Sequence, residues 1–184
     1  MRGSRESKNV KEAIEQGNRQ ACEQVICRNY RPIYRFLMYL TGDAGFAEEL
    51  TQETFVSAWS KISQYDGRAS LGTWLHRIAY HKFIDSKRRQ QRAVYLIDKL
   101  KEQSSDIRKS QDPLERILSD EKNRALYEAM RRLQTTEYVV VLLHYVQNLS
   151  FRQMSKVLDE PVGTVKWRTS QSLKKLKMLL KGRI

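Results

Sequence analysis

The chain has 184 residues, 40% hydrophobic and 30% charged, and its 34 Lys and Arg against 21 Asp and Glu leave a formal charge of +13. That length accommodates one domain or two small ones, and the charge favours a nucleic acid or an anionic surface as partner. The longest apolar run, Val139–Leu143, is too short to cross a bilayer, and Met1–Lys11 lacks the apolar centre of a secretory leader, so a cytoplasmic protein is expected.

Helical signals dominate along the chain, and no alternating strand pattern stands out. A first helical region is predicted from about Val10 to Leu40, with a break at Gly17-Asn18 and a kink at Pro32 as options. Its apolar set is Val25, Ile26, Ile33, Phe36, Leu37 and Leu40. Thr41-Gly42 ends it, and Asp43 starts a helix with Phe46, Leu50, Phe55 and Trp59 on one face. A loop over Gln64–Ser70 turns at Gly67, and Ser70 caps a helix carrying Leu71, Trp74, Leu75, Ile78 and Ala79. Trp74 falls at core spacing in that helix. Residues 93–112 read as a polar linker, with a short helical turn at Tyr95–Leu100. Asp112-Pro113 then opens a helix to Leu133, and Thr135 or Thr136 caps another ending near Asn148. Ser150 with Gln153 forms a capping box for a short helix, Ser150–Leu158. After the turn Asp159-Glu160-Pro161, a last helix runs from about Val162 to the end, where no fused C-terminal regulatory domain is expected. The fold class is therefore all-α: two small helical domains, 8–92 and 113–184, joined by a flexible linker over 93–112.

Twelve of the thirteen excess charges lie in two stretches: His76–Arg92, with six basic residues and one acid, and Gly163–Ile184, with seven and none. Two separate basic helices can hold one polyanion at two places, because neutralising phosphates releases counterions. Cys22 and Cys27 sit five apart on a helix and point in different directions, so buried or inert thiols are expected. A metal site lacks ligands nearby, and no cofactor is expected; His81 is not read as a metal ligand. A glycine-rich phosphate loop and a nucleophile motif are both missing from the sequence, which argues against an enzyme.

The short helix, turn and long basic helix at the C-terminus make a helix-turn-helix pattern. At 100° per residue, Val165, Thr169, Ser172, Leu176 and Leu179 share one side of the last helix. Lys166, Trp167, Ser170, Gln171 and Lys174 share the other, with Arg168 and Lys175 on the flank. Lysine donates to guanine O6/N7, glutamine pairs bidentately with adenine, and flanking cations suit phosphates. The same charges would suit a solvated helix closing a bundle; an outward Trp167 favours a partner on this face.

The stretch Leu149-Ser-Phe-Arg-Gln-Met-Ser-Lys-Val-Leu-Asp-Glu-Pro-Val-Gly-Thr-Val-Lys-Trp-Arg168 closely resembles region 4.2 of the extracytoplasmic-function (ECF) sigma factors of the sigma-70 family. Asp159 stands where that family usually has Gly, and Trp167 where a small Ser is common. Asp tolerates a left-handed turn, so the turn is expected to survive. In the first half, Tyr34-Arg-Phe-Leu-Met-Tyr-Leu-Thr-Gly-Asp43 and Ala47-Glu-Glu-Leu-Thr-Gln-Glu-Thr-Phe-Val-Ser-Ala-Trp59 look like regions 2.1 and 2.2. Tyr65-Asp-Gly-Arg-Ala-Ser-Leu-Gly-Thr-Trp-Leu-His-Arg-Ile-Ala79 looks like region 2.3, and Asp85-Ser-Lys-Arg-Arg89 like the end of region 2.4. The resemblance spans about residues 20–92 and 113–181.

The resemblance implies an alternative sigma factor that binds core RNA polymerase and directs promoter-specific initiation, with an anti-sigma factor as a further partner. It implies core-polymerase contacts at Glu48, Glu49, Gln52 and Glu53 and a linker threading towards the polymerase channels. It also implies minus-10 contacts at Tyr65, Arg68, Arg77, Tyr80, His81, Lys87 and Arg88, with the loop Ser63–Ser70 forming a pocket for a flipped base. The minus-35 contacts it implies are Thr164, Lys166, Trp167, Arg168, Ser170, Gln171 and Lys174. A helix-turn-helix repressor or activator that acts without polymerase is the competing reading. The C-terminal half fits it equally well; the basic helix and melting-type loop of the N-terminal half do not.

Overall fold

A computed structural model of the chain describes residues 11–100, 126 and 128–181, the side chains of 94–100 excepted. Every regular element among the described residues is helical. A short helical segment over 11–15 precedes α1 (Arg19–Thr41), α2 (Ala44–Ser60), a 3-10 turn (Ile62–Gln64) and α3 (Leu71–Leu100). The C-terminal part contains α4 (Thr135–Val141), which widens into a π turn (Leu142–Val146), then α5 (Phe151–Leu158) and α6 (Val162–Leu180).

The capping residues explain most of these boundaries. Asn18 accepts from the Ala21 amide at 3.1 Å, so the first helical region does break at Gly17-Asn18, and α1 then runs unbroken through Pro32. Gly42 closes α1 at φ 67°, a conformation glycine adopts without steric cost, and its N–H returns to Met38 O. Asp43 accepts from Phe46 N at 2.7 Å, and Ser70 accepts from Thr73 N at 3.2 Å, as their places in the sequence predict. Ser150 and Gln153 form the expected capping box.

Three expectations change. The backbone of α3 runs on as one helix to Leu100, into the stretch read as linker and in place of a separate short turn at Tyr95–Leu100, because no Gly or Pro interrupts Thr73–Leu100 and extending a helix is easier than nucleating one. The cap of α4 lies one residue earlier, where the Glu137 carboxylate accepts from the Gln134 amide at 2.8 Å. The same chain then departs from α geometry: Gln147 N donates to Leu142 O, and Leu149 N to Leu143 O. His144 stabilises this turn through Leu149 O at 2.9 Å and stacks on Phe151 with ring centres 4.6 Å apart. The helix expected over 112–133 lies largely outside the described residues. Cys22 is partly buried and Cys27 is exposed, so neither is a core thiol.

α1, α2 and α3 pack around Ile33, Phe36, Leu37, Leu75 and Ala79. The second group closes on Val139–Leu143, Met154, Val157, Val165 and Leu176. Burying such side chains contributes about 1.5–3 kcal/mol each relative to exposure. The two groups also meet: α5 lies along α3, and α1 touches the π turn.

Candidate nucleic-acid interface

α5, the turn at Asp159 and α6 form a helix-turn-helix. Asp159 holds the left-handed turn at φ 55°, ψ 40°, so the turn survives without its usual Gly. Val165, Thr169, Ser172 and Leu176 are buried, which fixes the rotation of α6 about its axis. That rotation turns Thr164, Lys166, Trp167, Ser170, Gln171 and Lys174 to solvent in one stripe. Trp167 is 64% exposed, a high fraction for an indole. Lys166 Nζ stands 5.9 Å from the centre of the Phe151 ring, near enough for that ring to bias its direction.

The flank of α6 differs from the expected phosphate contacts. Arg168 is held by Glu160 at 2.7–2.8 Å with its side chain 21% exposed, so it braces the turn. Lys175 is held by Glu137 at 2.8 Å, tying α6 to α4. That contact keeps the Glu137 carboxyl below its ordinary pKa, chiefly through the Lys175 hydrogen bond.

The N-terminal face is built on α3 and the loop before it. Tyr65, expected to stack on a base, is 2% exposed and donates its hydroxyl to Ala69 O. It anchors the loop from below, with Trp74 tilted against it at 5.1 Å. Trp74, expected in the core, is only half-buried and lines a cavity of about 460 Å³ with Arg68, Arg77, Lys156 and Asp159. Arg68, Lys87 and Arg88 are exposed. Arg77 and His81, one helical turn apart, both meet Asp159 of the second group, at 2.8 and 3.1 Å. Tyr80 is partly buried beside them, and burial followed by the Glu160 charge raises its pKa.

On α2, Glu48, Glu49 and Gln52 are exposed on one face, while Glu53 pairs with Lys82 of α3 at 3.0 Å. Val56, 68% exposed, extends this face and was not singled out from the sequence. Its signal was available: Val56 falls outside the apolar set Phe46, Leu50, Phe55 and Trp59. The roles of Gln153, Lys156 and Asp159 as contacts between the two groups were likewise missed. They depend on which helix lies opposite, and spacing along one helix does not encode that.

An α-helical chain with a helix-turn-helix, an exposed polar and basic stripe on its second helix and a further basic helix has the composition of the DNA-binding class of proteins. Residues 25–93 match the family "Sigma-70 region 2", and residues 123–176 match "Sigma-70, region 4". ECF sigma factor SigC of Mycobacterium tuberculosis is 30% identical over 165 residues, covering 85% of this chain and 81% of the relative. ECF sigma factor SigW of Bacillus subtilis is 26% identical over 174 residues, covering 91% and 93%. The solved sigma factor RpoE from Bartonella quintana, in complex with the anti-sigma factor NepR, has the same fold at TM-score 0.69, with 22% identity and coverage of 87% and 96%. The chain belongs to the ECF sigma factors of the sigma-70 family. It is a sigma factor directing transcription initiation, and the matched region 2 disfavours a repressor acting without polymerase.

Proposed function

We propose that promoter recognition is divided between the two basic faces. Thr164, Lys166, Trp167, Ser170, Gln171 and Lys174 read the minus-35 element in the major groove. Arg68, Arg77, Tyr80, His81, Lys87 and Arg88 serve the minus-10 element. Arg168 acts on the first of these by bracing the turn, and Tyr65 on the second by supporting the loop. The observation that carries this reading is the exposed stripe on α6, opposite a side buried at Val165, Thr169, Ser172 and Leu176. The boundaries that go with it are a first domain over 8–92, a linker over 93–112 and a second domain over 113–184.

Core-polymerase contact is assigned to Glu48, Glu49 and Gln52, with Val56 as an apolar neighbour and Glu53 shared with Lys82. The solved RpoE binds an anti-sigma factor, and by analogy this chain is assigned an anti-sigma partner too. No helix among the described residues is long and apolar enough to cross a membrane, which supports action in the cytoplasm. The protein works by binding and performs no bond chemistry of its own.

Core RNA polymerase from the source organism tests this reading. The full chain should be retained on immobilised core and should direct specific transcripts from a genomic template. Absence of retention would overturn the assignment of α2.

A further inference from the structure

We propose that Trp167 reads the C5-methyl group of a thymine in the minus-35 duplex and so sets part of this chain's promoter preference. The inference deepens, and rests on, the assignment of the α6 stripe to that duplex. Trp167 is the largest apolar side chain exposed among the described residues, at 64%. It is the sixth residue of α6 (Val162–Leu180), in the N-terminal part of the second helix, the part that contacts base edges in a helix-turn-helix. Its ring makes no stacking contact or hydrogen bond among the described residues.

The neighbours of Trp167 make this a reading position. It shares its face of α6 with Thr164, Ser170, Gln171 and Lys174, all polar and all exposed. The indole is thus an apolar island in a polar, cationic stripe. Base edges in the major groove offer such a stripe hydrogen-bond donors and acceptors, and one apolar group, the thymine methyl. Phosphates are the other available partner, and they favour cations and hydrogen-bond donors over an apolar ring face. The cation beside Trp167 lies towards α5, with Lys166 Nζ 5.9 Å from the centre of the Phe151 ring. Gln171 stands four residues further on, a rise of about 6 Å along the axis, or close to two base-pair steps of about 3.4 Å. An adenine read by Gln171 and the methyl read by Trp167 therefore fall within about two steps of each other when α6 lies along the groove.

Selection by the full chain from short duplexes randomised over their central segment supplies the probe. Each thymine of the selected duplex is then replaced singly by deoxyuracil, which removes the methyl and leaves every hydrogen-bonding group in place. At one thymine the replacement should weaken binding by about three- to tenfold, the scale of one buried methyl group. Trp167→Ala should bind the thymine and deoxyuracil duplexes equally, and Trp167→Phe should keep part of the difference. With cytosine at the same position, 5-methylation should tighten binding by the parent and not by Trp167→Ala. Each comparison is a ratio within one variant, so a general loss of affinity or of folded protein cancels. Insensitivity of every thymine to methyl removal overturns the inference, as does equal sensitivity in the parent and Trp167→Ala. Gln171→Ala on the same duplexes separates this failure from that of the underlying assignment. Weaker binding by Gln171→Ala without any methyl effect overturns the role of Trp167 alone. A selection that enriches no sequence overturns base reading by α6 as a whole.

Discussion

Lys166 and Gln171 are exposed on α6 and have no acidic partner among the described residues, whereas Arg168 and Lys175 are each held by a glutamate. Under the proposed division, this difference separates residues assigned to read bases from residues that hold their helix in place. Lys166→Ala or Gln171→Ala should weaken binding to a minus-35 duplex by roughly 1–3 kcal/mol, while retention on core polymerase stays unchanged. Electrophoretic mobility shift and a core pull-down on the same preparations check this. Equal loss in both assays would contradict the division of labour. The exposed stripe was legible beforehand because 100° per residue sets it once the buried side is known. The fates of Arg168, Lys175 and Tyr65 were not, because Glu160, Glu137 and Ala69 act on them through tertiary placement and loop conformation.

At the scale of elements, side-chain chemistry at helix ends explains more than apolar periodicity does. Ser150 is the clearest case: its amide and hydroxyl both bond to Gln153 Oε1, at 2.9 and 2.8 Å, and its hydroxyl also accepts from Gln153 N. A helix of eight residues is too short to persist without such help. Ser150→Ala should therefore lower the unfolding free energy by about 1 kcal/mol, read from urea titration. An unchanged midpoint would mean that packing of Met154 and Val157 alone holds α5. Asp43, Ser70 and Ser150 were readable as caps because a short polar side chain before an apolar run has few other uses. The length of α3 was not readable, since weak periodicity after Ala93 says little about whether an existing helix continues. Nor was the π turn, because the contacts of His144 with Leu149 and Phe151 exist only once the chain has turned back.

For the whole molecule, the decisive feature is that the two domains meet through polar groups, and one of these is buried and titratable. His76 of α3 is 5% exposed and lies between Phe36, 5.4 Å away, and Gln147 of the second domain. Its Nδ1 bonds to Gly72 O at 2.8 Å, and its Nε2 is 3.4 Å from the Gln147 side chain. Burial holds its pKa below the ordinary 6.5, outweighing both hydrogen bonds, so the folded protein keeps this imidazole neutral. An unfolded chain binds the proton near pH 6.5, and the folded chain only at lower pH. Between those two values the unfolded state carries more protons, so stability rises with pH. The contribution of neutral His76 is present in full above about pH 6.5 and is lost progressively as pH falls, at no more than about 1.4 kcal/mol per pH unit. Urea midpoints between pH 7.5 and 5.0 should decline below pH 6.5, and His76→Gln should flatten that decline whatever its stability at neutral pH. A slope as steep in His76→Gln as in the parent would mean that other groups carry it. Glu137 does not mimic this window: its pKa is lowered, so its contribution is lost only as pH falls below its ordinary value of 4.5. Protonation of His76 therefore acts on a group at the seam between the domains, where a cation in place of neutral imidazole would favour their separation.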